Sequence, residues 1–333
     1  MKRLSHALIF MLLLGLILGA CVPATPVATS PSPVVTETAA FLPTASLAPT
    51  ATPVAQIEAT DGLGRKVTLK APAQRIISLA PSNTEILFAL GAGKQVIARD
   101  SFSDYPPEAA SVTDIGSTWE TLNLEQLVAL QPDLVLAAGI QSPEQVKAME
   151  NAGLVVFWVP NPVTLEDLYA NLEVVGRLIG HEPEAAALIE SLKARVAAVD
   201  KKIAMVSQKP SVFYELDASQ DPAKPWTAGP GSFHDALIAR AGGVNIAAVL
   251  DSPWAQMSLE QIVAADPEII LLGDAKWGTT PESVAQRPGW SNLRAVKNER
   301  VIPFDDDLIS RPGPRLVDAL ENLAKIFHPE LFK

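Results

Sequence analysis

Cysteine is almost absent from this chain, since Cys21 is the only one among 333 residues. A single thiol cannot form a disulfide within the chain, and it excludes a metal site built from several cysteines. Histidine is also scarce, with four residues. The folded part must therefore be held together by an apolar core, for which a hydrophobic content of 48% provides the material.

Basic residues and catalytic motifs are also in short supply. The chain has 26 Lys and Arg against 37 Asp and Glu, a formal net charge of −11. An acidic chain without basic clusters argues against nucleic acid or an anionic lipid surface as the partner. No Gly-x-Ser-x-Gly, His-Glu-x-x-His or Walker segment is present. The sequence therefore offers no assembled catalytic group, and any use of ATP requires another chain.

The first 21 residues have the pattern of an export signal. Lys2 and Arg3 precede an apolar run over 7–18, which is shorter than the roughly 20 residues of a membrane span. The following Leu-Gly-Ala-Cys segment resembles a bacterial lipobox, so Cys21 is predicted to carry lipid and anchor the mature chain at the extracytoplasmic face of the membrane. Residues 22–57, rich in Pro, Thr and Ala, predict a disordered tether.

Two segments of the remaining chain repeat each other. Both read Trp-x3-(Asn/Ser)-Leu-Glu-Gln-(Leu/Ile)-Val-Ala-x-x-Pro, and they start at Trp119 and Trp254. The spacing predicts a helix capped by Asn or Ser, with Glu125 and Glu260 in its first turn, where the helix dipole favours a carboxylate. Each glutamate could serve only that dipole, and each tryptophan could be a core residue. Their matched positions favour a shared function in two similar lobes.

Short apolar segments alternate with helical patterns over the whole folded part. This alternation predicts parallel βα units and an α/β fold. We expect a first lobe over 58–182, a long helix over 183–208 and a second lobe over 209–333. At 1.5 Å per residue, the predicted helix is long enough to bridge two lobes.

With these elements placed, the chain resembles the vitamin B12 (corrinoid) substrate-binding proteins of ABC importers. The resemblance rests on an ordered set of segments covering about 74 to 328. The segments are Arg75-Ile-Ile-Ser-Leu-Ala-Pro-Ser-Asn-Thr-Glu-Ile-Leu-Phe-Ala-Leu-Gly, Ser103-Asp-Tyr-Pro-Pro, Ser117-Thr-Trp and Trp254-x-Gln-x-Ser-x-Glu-Gln. The wider group also binds ferric siderophores and haem. The resemblance implies two Rossmann-like lobes joined by one long α-helix, with the ligand held between them by a monomer that is not an enzyme and has no cofactor.

The resemblance also implies roles for individual residues. Glu125 and Glu260 match glutamates that pair with arginines on the permease, which works with its own ATPase. Trp119 and Trp254 match aromatic residues that lie against the corrin.

Two further positions match and two depart from the corrinoid pattern. Asp307 and Arg311 match, although Arg311 could instead form ion pairs with the neighbouring aspartates. Phe102 replaces a tyrosine, and Leu308 stands where an aromatic residue is expected. These departures leave a ferric siderophore or haem open as the ligand.

Alternatives from other classes remain. For haem, Tyr214 and His234 are the candidate iron ligands in the second lobe, and Tyr214 is included among the predicted ligand contacts. An exported α/β hydrolase is the alternative from a different class, although it needs a catalytic constellation that the sequence does not supply.

Overall fold

The computed structural model describes residues 56–119 and 121–333. The predicted signal peptide, the lipidation site at Cys21 and almost all of the predicted tether lie outside the described residues. No helix in the described part of the chain is long and apolar enough to cross a membrane.

The first lobe is built from seven strands and four helices. In chain order they are β1 Ile57–Thr60, β2 Lys66–Leu69, β3 Ile76–Ser78, α1 Pro81–Ala89, β4 Val96–Arg99, β5 Thr113–Asp114, α2 Leu124–Ala129, β6 Leu134–Ala138, α3 Pro143–Asn151, β7 Val156–Val159 and α4 Leu165–Ile179. β1 and β2 form an antiparallel hairpin that the sequence analysis did not predict. The other five strands form a parallel sheet in the order β5-β4-β3-β6-β7.

The second lobe follows the helix α5, Glu182–Ile203, and repeats this plan. Its elements are β8 Ser211–Asp217, β9 Trp226–Ala228, α6 Phe233–Arg240, β10 Val244–Asn245, β11 Trp254–Gln256, α7 Leu259–Ala265, β12 Ile269–Leu272, α8 Pro281–Ala285, α9 Arg294–Lys297, β13 Val301–Pro303, α10 Asp306–Ile309 and α11 Leu316–Phe327. The sheet order is β11-β9-β8-β12-β13, with β10 beside β8. β8, β12 and β13 are parallel, whereas β9 and β11 form an antiparallel ribbon at one edge.

Both sheets are covered on two faces, which explains their unbroken apolar strands. Every residue of β6 is buried. Leu134 and Leu136 pack into one apolar cluster, while Val135 and Ala137 pack into another on the opposite face. The residues of β12 divide in the same alternating way. The two lobes are thus the α/β units that the alternating pattern predicted.

The connecting helix α5 spans 22 residues, about 33 Å at the standard rise. It ends at Ile203, five residues before the predicted end, because the backbone NH groups of Met205 and Val206 donate to carbonyls three residues back and tighten the last turn. The helix packs against α4 of the first lobe and α11 of the second. One apolar cluster is therefore continuous from Ile76 in the first sheet to Tyr214 in the second.

Candidate functional site

The carboxyl ends of the two sheets face each other. Asp104 lies in the loop after β4, and its carboxylate accepts a hydrogen bond from Arg311 in the loop after α10. Glu85 in α1 pairs with Arg315, just before α11. These contacts join residues more than 200 positions apart in sequence. They define the gap between the lobes as the place where loops from both sheets meet, the usual location of ligand sites in open α/β sheets.

The pair between Glu85 and Arg315 is a buried, hydrogen-bonded contact across this gap, and Arg311 also approaches Glu85, at 3.9 Å. The side chains are only 2% and 13% exposed, and Arg315 Nε lies 2.9 Å from Glu85 Oε2. Burial raises the pKa of Glu85, and the hydrogen bond and charge of Arg315 act against that rise. The Arg315 guanidinium also lies 3.9 Å from the centre of the Tyr105 ring. One arginine therefore ties α1 and the loop after β4 to the second lobe.

A second, more open charged group surrounds Arg311. Its guanidinium lies 3.1 Å from Asp307 in addition to its contact with Asp104. Lys276 Nζ approaches the two Asp307 carboxylate oxygens at 2.9 and 2.7 Å. Partial burial works to raise the pKa of Asp104, but the hydrogen bond and charge of Arg311 outweigh it and the pKa is lowered. Arg311 thus does pair with aspartates, on both sides of the gap, as the ion-pair alternative envisaged.

The exposed aromatic side chains gather around the same gap. Six aromatic residues are exposed among the described part of the chain: Phe102, Tyr105, Trp119, Trp226, Trp254 and Trp277. Four of them follow the carboxyl ends of β4, β5 and β12, and the other two lie on the β9–β11 ribbon. Leaving six large rings in water is unfavourable, so their grouping indicates a surface that binds an apolar partner.

Trp226 is a site residue that the sequence analysis missed. Gln256 faces Trp226 directly across the ribbon, so Trp226 and Trp254 are diagonal neighbours on one face, within reach of each other's rings. Both are 40% exposed. The available signal was Pro225-Trp226-Thr227, an aromatic next to a β-branched residue after a proline, which is typical of the start of a strand.

Tyr214 is placed differently from the prediction that it contacts ligand. Its ring has no exposed surface, and its hydroxyl donates to Asp306 Oδ1 at 2.8 Å. A Cβ on Gly273 would lie only 2.8 Å from this ring, so glycine makes the close approach possible. Burial raises the pKa of Tyr214 well above its usual value, and the neighbouring Asp306 raises it further. Tyr214 therefore holds the first residue of α10 from the interior of the second lobe.

Ser310, His234 and Asp306 meet beneath Trp254, but not as a catalytic triad. Ser310 Oγ donates to Asp306 Oδ1 at 2.7 Å and lies 3.2 Å from His234 Nε2, while His234 Nδ1 has no partner. In a triad the carboxylate would bind the histidine instead. Burial lowers the pKa of His234 to about 3, which makes it a poor base. Within the described residues, no group of three His, Cys, Asp or Glu side chains could hold a metal ion.

The repeated glutamates occupy equivalent positions in the two lobes. Glu125 lies in the first turn of α2, which leads into β6, and Glu260 lies in the first turn of α7, which leads into β12. β6 and β12 are the fourth strands of their sheets. Both glutamates are exposed. Ser258 forms the full predicted capping box, whereas Asn123 makes only half of it, accepting from Gln126 N at 3.1 Å.

A family profile described as periplasmic binding protein matches residues 76–308. The chain belongs to the periplasmic binding protein family. It is 33% identical over 287 residues to an uncharacterised ABC transporter substrate-binding lipoprotein of Bacillus subtilis, covering 85% of this chain and 88% of that one. It is 34% identical over 252 residues to the vitamin B12-binding protein of Salmonella typhimurium, covering 75% and 89%.

Solved structures of this family share the fold. A periplasmic heme-binding protein from Roseiflexus superposes with a TM-score of 0.70 at 28% identity, covering 78% of this chain and 99% of that one. The predicted arrangement of two lobes joined by one long helix is confirmed. Periplasmic binding proteins are solute-binding transport proteins, which agrees with a site built from rings and paired charges.

The buried ion pair yields a stability prediction. Arg315→Ala should lower the free energy of unfolding by up to about 3–5 kcal/mol, because the buried Glu85 would lose its hydrogen-bonded partner and keep only Arg311, 3.9 Å away, near its carboxylate. Arg195→Ala is the matched control, since Arg195 also binds two carboxylates, Asp318 and Glu321, but on a surface where all three are more than a quarter exposed. It should cost about 0–1 kcal/mol per pair. Urea unfolding measures both, and equal losses would contradict the assignment of a buried pair.

The histidine beneath Trp254 yields a prediction of pH dependence. His234 has a pKa of about 3 in the folded protein against 6.5 for an unperturbed imidazole, so the unfolded chain gains a proton first as pH falls. Its contribution to stability is complete above pH 6.5 and is lost on acidification, by about 1.4 kcal/mol per pH unit between roughly pH 6 and 4. His234→Gln should remove this slope from unfolding measured across that range.

Comparison with the wild type isolates this effect, because Glu215, whose burial raises its pKa to about 7, acts in the opposite sense in both proteins. Equal slopes for the wild type and His234→Gln would show that this imidazole does not carry the effect.

Proposed function

We propose that this chain is the lipid-anchored, extracytoplasmic receptor of an ABC importer, and that it captures cobalamin or a related corrinoid between its lobes. The observation that carries the proposal is the ring of exposed aromatic residues around a gap lined by paired charges. Flat apolar rings suit the faces of a macrocycle. Asp307 and Arg311 suit its amide and phosphate substituents.

The proposed ligand contacts are Phe102, Trp119, Trp254, Asp307 and Arg311, with Trp226 added from the structure. Arg311 is now paired with Asp104 across the gap. To bind a ligand group, Arg311 must break this ion pair and pair with the ligand instead. The vitamin B12-binding relative from Salmonella supports a corrinoid as the first choice.

Haem remains the second candidate ligand, supported by the heme-binding protein from Roseiflexus. The burial of Tyr214 and His234 weighs against iron ligation from the second lobe, and the Tyr214 hydroxyl and His234 Nε2 already contact Asp306 and Ser310. A ferric siderophore would need no protein ligand to its iron and uses the same surface of rings and charges. The hydrolase alternative loses support, since the one Ser–His–Asp group found among the described residues has the wrong connections.

Docking to the permease is assigned to Glu125 and Glu260, one on each lobe. Hydrogen bonds from its own backbone NH and from Ser258 lower the pKa of Glu260, which keeps it charged. A single exposed ion pair contributes little, about 0–1 kcal/mol. Two pairs on equivalent helices set the register and orientation of the complex. We also retain the lobe boundaries 58–182 and 209–333 and lipid attachment at Cys21 as parts of this proposal, whereas the connecting helix predicted over 183–208 ends at Ile203.

Visible absorbance during ligand titration tests the ligand. The wild type should bind cyanocobalamin saturably, and Trp254→Ala should weaken the affinity by about tenfold, because it removes a large contact surface for the ring. Met205→Ala is the control, since this exposed side chain follows α5 at the amino end of β8. Saturable binding of haemin without binding of cyanocobalamin would assign haem instead.

Charge reversal tests the docking role. The double variant Glu125→Lys/Glu260→Lys should abolish ligand uptake in cells that carry the importer and leave the ligand affinity of the purified protein unchanged. The matched control is Glu144→Lys/Glu282→Lys, because these two glutamates are also exposed in the first turns of α3 and α8. Equal uptake by both double variants would mean that the repeated glutamates serve only their helix dipoles.

A further inference from the structure

Trp277 is one of the six exposed rings around the gap, but it is not among the proposed ligand contacts. It ends the short 3-10 turn Gly273–Trp277, which follows β12 directly at the carboxyl end of the sheet. At 77% exposure it is the most exposed large hydrophobic side chain among the described residues. A tryptophan held in this way gains nothing from the core, so its position calls for an apolar partner.

The ring is held beside the charged group around Arg311. Lys276 Nζ lies 5.6 Å from the centre of the Trp277 ring and 2.7 Å from Asp307. Asp307 in turn lies 3.1 Å from Arg311. Together these distances place the indole close to the loop that carries Arg311 and faces the first lobe.

The helix α10 supplies no aromatic residue of its own to this part of the gap. Leu308 is half buried and packs against the large apolar cluster, so it points inward. Trp277, on the neighbouring turn, is the exposed apolar side chain beside Asp307. In this part of the second lobe, the exposed ring is therefore Trp277, on the turn after β12, rather than a residue of α10.

Strand order gives the distance over which the rings of the second lobe can act. Trp254 lies on β11 and Trp277 follows β12, and β9 and β8 lie between those two strands. At about 4.8 Å per strand, the two positions are separated by on the order of 14 Å. A macrocycle with its side chains can contact both positions, whereas a small solute can contact only one.

We infer that Trp277 forms a second apolar wall of the ligand site, opposite the Trp226–Trp254 ribbon across the second lobe, and that it selects for a broad, flat macrocycle with polar substituents at its edge. Lys276 and Asp307, beside the ring, face those substituents. This inference rests on the proposed function and adds to it a residue that determines which ligands are held tightly.

Absorbance titration with cyanocobalamin and with haemin tests the inference in the full-length protein. For whichever ring ligand the wild type binds, Trp277→Ala should weaken the affinity by about three- to tenfold. Trp277→Phe should restore most of the loss, because a flat ring remains. Met205→Ala, which removes a side chain exposed to 67%, should bind as the wild type does. Thermal unfolding of each variant confirms that the fold is retained.

Three outcomes would overturn the inference. If Trp254→Ala weakens binding and Trp277→Ala does not, the proposed function stands and Trp277 lies outside the site. If Trp277→Ala reduces uptake in cells but leaves the affinity unchanged, the ring contacts the permease rather than the ligand. If the wild type binds neither ring ligand nor a ferric siderophore, the proposed function fails and this inference fails with it.

Discussion

The buried ion pair between Glu85 and Arg315 sets the relation between the two lobes. Removing a carboxylate and a guanidinium from water is costly, and the cost is offset only while they remain paired. Separating the lobes at this point would expose both groups or leave them buried alone. The Phe102–Tyr105 loop and the Arg311 group therefore take their positions from this pair.

The two lobes share one plan but place their exposed aromatic rings on different kinds of segment. The first sheet is wholly parallel and places its rings on loops that follow the strands. The second replaces the corresponding edge with an antiparallel ribbon, which holds two rings on a surface with paired backbones. Beneath the ribbon, the polar network of His234, Ser310, Asp306 and Tyr214 keeps α10 in place. A rigid face in one lobe thus opposes loops in the other.

Local pattern was sufficient to predict the alternation of strands and helices, the connecting helix and the repeat. Each of these depends on neighbours in sequence, such as the cap and apolar stripe around Glu260. The ion pair between Glu85 and Arg315 could not be predicted in this way, because its partners are 230 residues apart. The burial of Tyr214 was not predicted for a different reason. β8 is buried on both faces, so alternation along the strand does not show which side chains reach the gap. Trp277 lies in a short turn without any periodic pattern.

The apolar cluster that passes through α4, α5 and α11 has a consequence for engineering. Each lobe has an apolar cluster of its own on one face of its sheet, but the cluster on the other face is shared, so a fragment cut at the connecting helix would expose the apolar faces of that helix and its neighbours and would aggregate. Melting should proceed in one cooperative step for the same reason. To turn this receptor into a sensor, a reporter protein should be inserted in a solvent-exposed turn that is distant from the connecting helix α5.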